Sequence, residues 1–153
     1  MKSPILLLIC VFAWGSLLAQ DPTEEVTAVE EACFDYIHAF YKADTTLAYR
    51  SVHKSLRKTG FYWDKEKEMY SEQLEMPFGD LITLAKRWND DGSRADESTP
   101  KGVQVFEVSD KTAIAKVNAI WGIDYISLMK IEEKWMIVNV LWQSPPRSSI
   151  RNP

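Results

Sequence analysis

Three side chains of this sequence have the types needed for acid–base chemistry: Tyr36, His53 and Asp124. Histidine has a pKa close to neutral, and a carboxylate in an apolar cavity has a raised pKa. Together they would suit a proton-transfer reaction without a cofactor, such as an isomerisation or a dehydration. Simpler interpretations are favoured. His53 would form a hydrogen bond with a helix end or a backbone carbonyl, and Asp124 would accept backbone hydrogen bonds at a turn.

A second set of side chains would bind a small molecule by stacking and hydrogen bonding. Most are aromatic, and a flat, largely apolar ligand packs well between such rings. The candidates are Tyr36, Phe40, His53, Trp88, Trp121, Tyr125, Asn139 and Trp142. Most of these rings must also form core, so we expect one or two tryptophans to touch a cavity. Alternate residues of a strand share one face, so Asn139 is expected on the same face as Ile137 and Leu141. It would then be a polar side chain in an apolar wall, or it would pair with a residue of the neighbouring strand.

Glu31, Asp35 and His38 share one helical face, and their side chains are of metal-binding types. Lys42 extends the same face, which lies opposite an apolar stripe, so a solvated surface is the favoured interpretation. No His-x-x-x-His pair or paired cysteines support a metal, and we predict none. Cys33 lies within the apolar stripe and is expected to be a buried hydrophobe rather than a nucleophile.

The composition is that of one globular domain. The chain has 153 residues, of which 46% are apolar and 26% charged, and its formal charge is −4 from 18 basic and 22 acidic residues. An acidic chain without a basic run argues against nucleic acid and anionic membrane surfaces as partners. It has no glycine-rich phosphate loop and no nucleophile elbow, and no cofactor is predicted.

The first 20 residues have the pattern of a removable export signal. Lys2 is followed by an apolar run over residues 4–18, a small residue at Ala19, and an acidic segment that begins at Asp21. This run is shorter than the ~20 residues that span a bilayer. We therefore predict a signal peptide at 1–20, a secreted or periplasmic protein, and no stable membrane insertion after cleavage. An uncleaved N-terminal anchor is the alternative.

The remaining pattern places helices first and strands afterwards. Helices are predicted over 21–42, from Asp44 or Thr45 to about His53, and over 80–88. A short strand or extended segment is predicted over 58–64. In the last third, short strand-like runs, in which apolar and polar residues tend to alternate, are joined by tight turns. They lie near 103–108, 112–121, 123–131 and 135–142 and predict an antiparallel meander. This order predicts an α+β fold with N-terminal helices packed on a curved antiparallel sheet and a pocket between them.

The sequence resembles the nuclear transport factor 2-like superfamily and, within it, the putative lumazine-binding group. The resemblance is carried by residues 29–44 (VEEACFDYIHAFYKAD), by His53, by Ile123-Asp124-Tyr125 and by residues 134–142 (KWMIVNVLW). It implies a cone-shaped α+β fold with a pocket, often dimeric through the outer face of the sheet. It also implies that His53 lies near the pocket mouth. Other branches of the superfamily are isomerases, dehydratases and cyclases, and the fold does not choose among them.

Three functions follow as hypotheses. The first is a non-catalytic protein that binds a small apolar or aromatic ligand in a domain spanning 21–147, with a tail at 148–153. The second is a cofactor-independent isomerase or dehydratase that uses Tyr36, His53 and Asp124. The third is an interaction module that pairs through its sheet, as a homodimer or with another exported protein.

Overall fold

The computed structural model describes residues 22–145, so the predicted signal peptide lies outside the described residues. The described residues form three helices: α1 (Pro22–Tyr41), α2 (Thr45–Ser51) and α3 (Phe78–Trp88). The strands are β1 (Val52–Phe61), β2 (Trp63–Asp64), β3 (Met69–Tyr70), β4 (Leu74–Pro77), β5 (Gly102–Val108), β6 (Thr112–Ala119), β7 (Gly122–Ile131) and β8 (Lys134–Gln143). None of the helices in this range combines the length and apolarity that a bilayer crossing requires.

The helix α1 buries the stripe that its periodicity predicts. Cys33, Tyr36 and Ile37 are fully buried, whereas Val26, near the N-terminal end, is 37% exposed. The helix α2 is capped by the Asp44 carboxylate, which accepts a hydrogen bond from the Thr46 backbone N–H at 2.9 Å. It ends at Ser51, so His53 lies in β1 rather than at the end of the helix.

Six strands form one curved, open sheet in the order β4-β1-β8-β7-β6-β5. The predicted meander of β5 to β8 is confirmed, with antiparallel pairing at each step. The prediction of a wholly antiparallel sheet is wrong, because β1 pairs with β8 in parallel. The β1 strand leaves the helical layer directly after α2, so no hairpin fixes its direction. The α+β class is confirmed, and the sheet is mixed.

Alternation along the strands directs apolar side chains toward the helices. In β6, Ala113, Ala115 and Val117 are buried, whereas Ile114 is 46% exposed on the outer face. This two-residue period is the one that the sequence predicts for residues 112–121. The core therefore lies between the inner face of the sheet and the buried stripe of α1.

An irregularity in β8 reverses the predicted orientation of Asn139. Ser127 of β7 pairs with Asn139 and the next residue, Leu128, pairs with Ile137, so Val138 is an extra residue in β8. Such a bulge shifts the alternation by one position and bends the strand. Val140 is consequently buried, and Leu141 is 48% exposed. Grouping Asn139 with Ile137 on one face was therefore wrong.

Candidate functional site

Three polar side chains meet in the interior, one from each of α1, β1 and β7. We call Tyr36, Lys58 and Asp124 the inner cluster. Tyr36 and Asp124 are fully buried, and Lys58 is 7% exposed. The Tyr36 hydroxyl donates to Asp124 Oδ2 at 2.7 Å, the Lys58 ammonium donates to the Tyr36 hydroxyl, and Lys58 Nζ lies 3.7 Å from Asp124 Oδ2. A carboxylate and an ammonium group are thus joined through a phenol.

The strand register places these residues beside one another. Asp124 pairs directly with Trp142 in β8, and Trp142 pairs with Gly60 in β1. Lys58 lies two residues before Gly60 and therefore on the same face of the strand. An added Cβ at Gly60 would lie 2.5 Å from the Trp142 ring, so only glycine allows this indole to lie across β1.

Two tryptophans complete the polar surroundings of the inner cluster. The Trp121 indole N–H lies 3.2 Å from both Asp124 oxygens, so this carboxylate accepts from a phenol and an indole. The Trp142 Nε1 atom is buried, and no hydrogen-bond partner for it occurs among residues 22–145. A buried donor without an acceptor loses its hydration without compensation.

Aromatic rings enclose the inner cluster. The Trp121 ring contacts the rings of Tyr36, Phe40, Tyr41 and Trp88 at centroid separations of 5.2–6.1 Å. Lys58 Nζ lies 5.1 Å, 5.8 Å and 5.5 Å from the ring centroids of Tyr36, Phe40 and Trp142. These ring faces attract a cation, which partly offsets the loss of water around the ammonium group.

Burial changes the acid–base properties of the inner cluster. It raises the pKa of Tyr36 well above the ordinary value, and the adjacent Asp124 carboxylate adds to this effect. Burial also lowers the pKa of Lys58, although the attraction of Asp124 opposes that change. Tyr36 is therefore held as a neutral hydrogen-bond donor, and Lys58 gives up a proton more readily than an exposed lysine. Outside the cluster, burial raises the pKa of Cys33 to about 12, so the thiol is a poor nucleophile.

The structure brings together some of the side chains that we predicted for ligand binding. Tyr36, Phe40, Trp88, Trp121 and Trp142 lie in or beside the aromatic enclosure, and the candidate acid Asp124 lies within it. The ligand-binding role of these residues stays a prediction.

Three predicted side chains lie elsewhere. His53 Nδ1 is 2.7 Å from the Ser55 hydroxyl on its own strand, and within the described range it contacts neither Tyr36 nor Asp124. Tyr125 is 46% exposed on the outer face of the sheet. Asn139 lines a groove of about 460 Å³ beside β1 and β4, and Lys58 is another lining residue of that groove. The trio proposed for an isomerase is therefore not assembled, because the third member beside Tyr36 and Asp124 is Lys58.

Our sequence argument missed Lys58, although a signal existed. Leu56, Lys58 and Gly60 share one parity, and Leu56 and Gly60 are both suited to an inward face. A lysine at an inward position needs a buried partner of opposite charge. Asp124, three residues after Trp121 in a largely apolar strand, was the available carboxylate.

The proposed metal ligands of α1 do not assemble into a site. Asp35 accepts two hydrogen bonds from the Arg50 guanidinium of α2, and Glu31 is exposed. No group of three potential ligands occurs between residues 22 and 145. The Asp35–Arg50 pair instead joins α1 to α2 at the surface.

Solved structures share this fold at low sequence identity. An NTF2-like protein of unknown function from Shewanella baltica is 18% identical, with a TM-score of 0.60 over 83% of this chain and 98% of that chain. One from Silicibacter pomeroyi, also of unknown function, is 16% identical, with a TM-score of 0.60 over 82% and 99%. A domain of unknown function with a cystatin-like fold from Nostoc punctiforme is 11% identical, with a TM-score of 0.54 over 82% and 80%. A search of curated proteins finds no match.

A family model assigns the chain more specifically than these structural similarities. The model described as putative lumazine-binding matches residues 24–143, which include all but the first two residues of α1, the whole sheet and every member of the inner cluster. With the architecture of the nuclear transport factor 2-like structures, this match confirms the resemblance seen in the sequence. The chain belongs to the putative lumazine-binding family, and its fold is that of the nuclear transport factor 2-like structures.

Proposed function

We propose that this chain is an exported, non-catalytic protein that binds a small molecule against the inner cluster. One observation carries the proposal: a lysine, a tyrosine and an aspartate are buried together within aromatic rings, beside a buried indole donor that has no acceptor in the part of the chain that the structure describes. Burial of charged groups and unpaired donors is unfavourable by several kcal/mol in order of magnitude. Such arrangements are concentrated at functional sites.

The chemistry of the enclosure indicates the kind of ligand. The rings of Phe40, Trp121 and Trp142 suit a flat, largely apolar molecule. Lys58 and the Trp142 indole offer hydrogen-bond donors, so the ligand should carry at least one acceptor oxygen or nitrogen. The groove beside β1 and β4 is lined by Lys58 but not by these rings, and its volume of about 460 Å³ is within the range that accommodates small ligands. We infer that a ligand reaches the inner cluster from this groove, on the side of Lys58.

Native mass spectrometry of the protein isolated from its own host tests this proposal. We expect a retained compound of small-molecule mass, and a lower retained fraction in a Trp142→Phe variant. Trp63→Phe is the matched control, because Trp63 packs on Tyr70 in the β2–β3 hairpin, which is a separate two-stranded sheet. A protein that retains no compound, or two variants with equal retention, would contradict the proposal.

Export is the second part of the proposal and rests on the pattern of residues 1–20. The protein should appear in the periplasm or the culture medium with a new N-terminus near Asp21. Cell fractionation with N-terminal sequencing measures both features. A cytoplasmic protein that retains Met1 would remove the export claim without affecting the ligand site.

A second candidate function, self-association, is favoured by the outer face of the sheet. Ile114, Tyr125, Met129 and Leu141 project from three adjacent strands and are each 45–48% exposed. Tyr125 and Leu141 are directly paired across β7 and β8. Contiguous apolar side chains on a sheet face are typical of an interaction surface.

Light scattering over a concentration series tests self-association. We expect the mass of a dimer for the natural chain and that of a monomer for Leu141→Lys. Tyr49→Lys is the control, because Tyr49 is 60% exposed but lies on α2. A monomer at the highest concentration would contradict this second function.

A further inference from the structure

The Lys58 amine has surroundings that suit covalent chemistry. It donates to the Tyr36 hydroxyl, lies 3.7 Å from the Asp124 carboxylate, and is enclosed by three rings. Lys54, on the same strand, is exposed to solvent. A lysine that is removed from water beside a proton donor and a carboxylate is the type that forms Schiff bases with carbonyl compounds.

We propose that Lys58 binds carbonyl compounds reversibly as an iminium, which deepens the proposed ligand site and rests on it. The nitrogen lone pair adds to the carbonyl carbon and forms a carbinolamine. The carbon–oxygen bond then breaks, the oxygen leaves as water, and a carbon–nitrogen double bond remains. In total, the ammonium group and the carbonyl compound give the iminium and one water, so charge and protons balance and no oxidant or reductant is needed.

Tyr36 and Asp124 have distinct tasks in this reaction. The amine must lose a proton before it attacks, and the leaving oxygen must gain protons before it departs as water. The Tyr36 hydroxyl contacts both Lys58 and Asp124, so it can relay protons between the nitrogen, the carboxylate and the departing oxygen. Lowering of the Lys58 pKa by burial increases the fraction of free amine. Asp124 stays the counterion, because ammonium and iminium carry the same charge.

The surroundings also define the carbonyl compound. The ring faces of Tyr36, Phe40 and Trp142 stabilise a cationic iminium and pack on a flat substituent. The Trp142 indole N–H, which has no acceptor in the described part of the chain, would donate to a second oxygen on the ligand. The expected class is therefore an aromatic aldehyde or ketone, with an oxygen substituent favoured.

Reductive trapping tests the inference on the unmodified sequence, so no variant needs to fold. The natural protein is treated with benzaldehyde and sodium cyanoborohydride at neutral pH, and benzylated lysines are quantified by peptide mass spectrometry. We expect Lys58 to be modified roughly tenfold faster than the exposed Lys54. Benzyl alcohol, which has a similar shape but no carbonyl, should slow modification of Lys58 and leave Lys54 unaffected.

A Tyr36→Phe variant separates two possible effects of Tyr36 on Lys58: proton transfer by the hydroxyl and burial by the ring. It keeps the ring but removes the hydroxyl, so modification of Lys58 should slow severalfold while that of Lys54 is unchanged. If Lys58 in the natural protein reacts no faster than Lys54, the inference is wrong. If benzyl alcohol nevertheless shifts the Trp142 indole resonance in NMR spectra, the non-covalent site survives. If neither effect occurs, the inference fails and the proposed site fails with it.

Discussion

Two clusters of similar chemistry join α1 to the sheet, and they differ in how completely their polar atoms are paired. At the N-terminal end, Glu25 accepts from Lys130 Nζ at 2.6 Å and from the Trp135 indole N–H at 2.7 Å. We call these three residues the outer cluster. In the inner cluster, Asp124 accepts from Tyr36 and is further from its lysine. Each cluster thus combines a carboxylate, a lysine and a neighbouring indole.

We propose that this difference separates a structural cluster from a binding site. In the outer cluster Lys130 also pairs with the exposed Glu133, and the indole has its acceptor. The Lys130 ammonium and the Trp135 indole therefore both donate to carboxylates of the protein itself. The inner cluster is buried, yet the Trp142 donor beside it has no acceptor among the described residues. Under our proposal, an unused hydrogen-bond donor, rather than the presence of charged groups, distinguishes the binding site from the structural cluster.

Removal of the inner carboxylate should have the largest effect. Asp124→Asn leaves the Lys58 ammonium buried without its counterion, and the free energy of unfolding should fall by about 3–5 kcal/mol. Urea denaturation measures this change. A Lys58→Met, Asp124→Asn double variant should recover part of the loss, because the unpaired charge is then absent. A single variant as stable as the natural chain would show that the two groups do not form a buried ion pair.

Two glycine-to-alanine substitutions test how closely Trp142 packs on β1. Gly60→Ala places a methyl group against the Trp142 backbone carbonyl oxygen and 2.5 Å from its ring, and should lower the free energy of unfolding by about 1–3 kcal/mol. Gly79→Ala is the matched control, since an added Cβ there meets open space on the helix α3. That control should be neutral or slightly stabilising because alanine favours a helix. Equal effects in the two variants would contradict the close packing of Trp142 on β1.

Removal of one donor from each carboxylate compares the two clusters directly. Tyr36→Phe removes the phenol that Asp124 accepts from, and the free energy of unfolding should fall by about 1–3 kcal/mol because the acceptor is fully buried. Lys130→Met removes the ammonium donor to Glu25 while keeping a side chain of similar length, and it should cost less because the Glu25 side chain is 16% exposed to water. Denaturant unfolding of both variants measures the difference. The opposite order would contradict our ranking of the clusters by burial.

The smallest effect is the pH dependence of the outer cluster. Hydrogen bonds from Lys130 and Trp135 lower the pKa of Glu25 below its ordinary value of 4.5. The carboxylate form therefore stabilises the fold fully above pH 4.5, and this contribution disappears as the pH falls through the lower pKa of the folded state. Thermal unfolding of the natural chain and of Glu25→Gln should differ at pH 7 and converge in acid. A difference that persists in acid would show that the contact is not ionic.

The spacing of apolar residues predicted which faces of the regular elements are buried. The stripe of α1 and the alternation of Ala113, Ala115 and Val117 follow from the sequence, because each element shows one apolar face. The parallel pairing of β1 with β8 could not be predicted in this way, since alternation shows which face of a strand is buried but not which strand lies beside it. Asn139 was misplaced because one extra residue in the strand reverses every later side chain.

The candidate site was predictable only in part. Tyr36 and Asp124 could be chosen by residue type, and the hydrogen bond between them joins α1 to β7 across the core. Lys58 was missed because its place in the interior depends on a partner that lies far along the chain. His53 was selected by its type and by the family resemblance, and it lies in β1 with Ser55 as its partner.

The most direct test of the central claim is a fragment screen that follows the indole N–H resonances by NMR. If the inner cluster binds small molecules, some flat aromatic fragments with an oxygen acceptor should shift the Trp142 resonance and leave Trp135 of the outer cluster unchanged. Their effect on Trp142 should weaken in Lys58→Met. A screen in which no fragment shifts Trp142 selectively would contradict the account, because the inner cluster would then be as structural as the outer one.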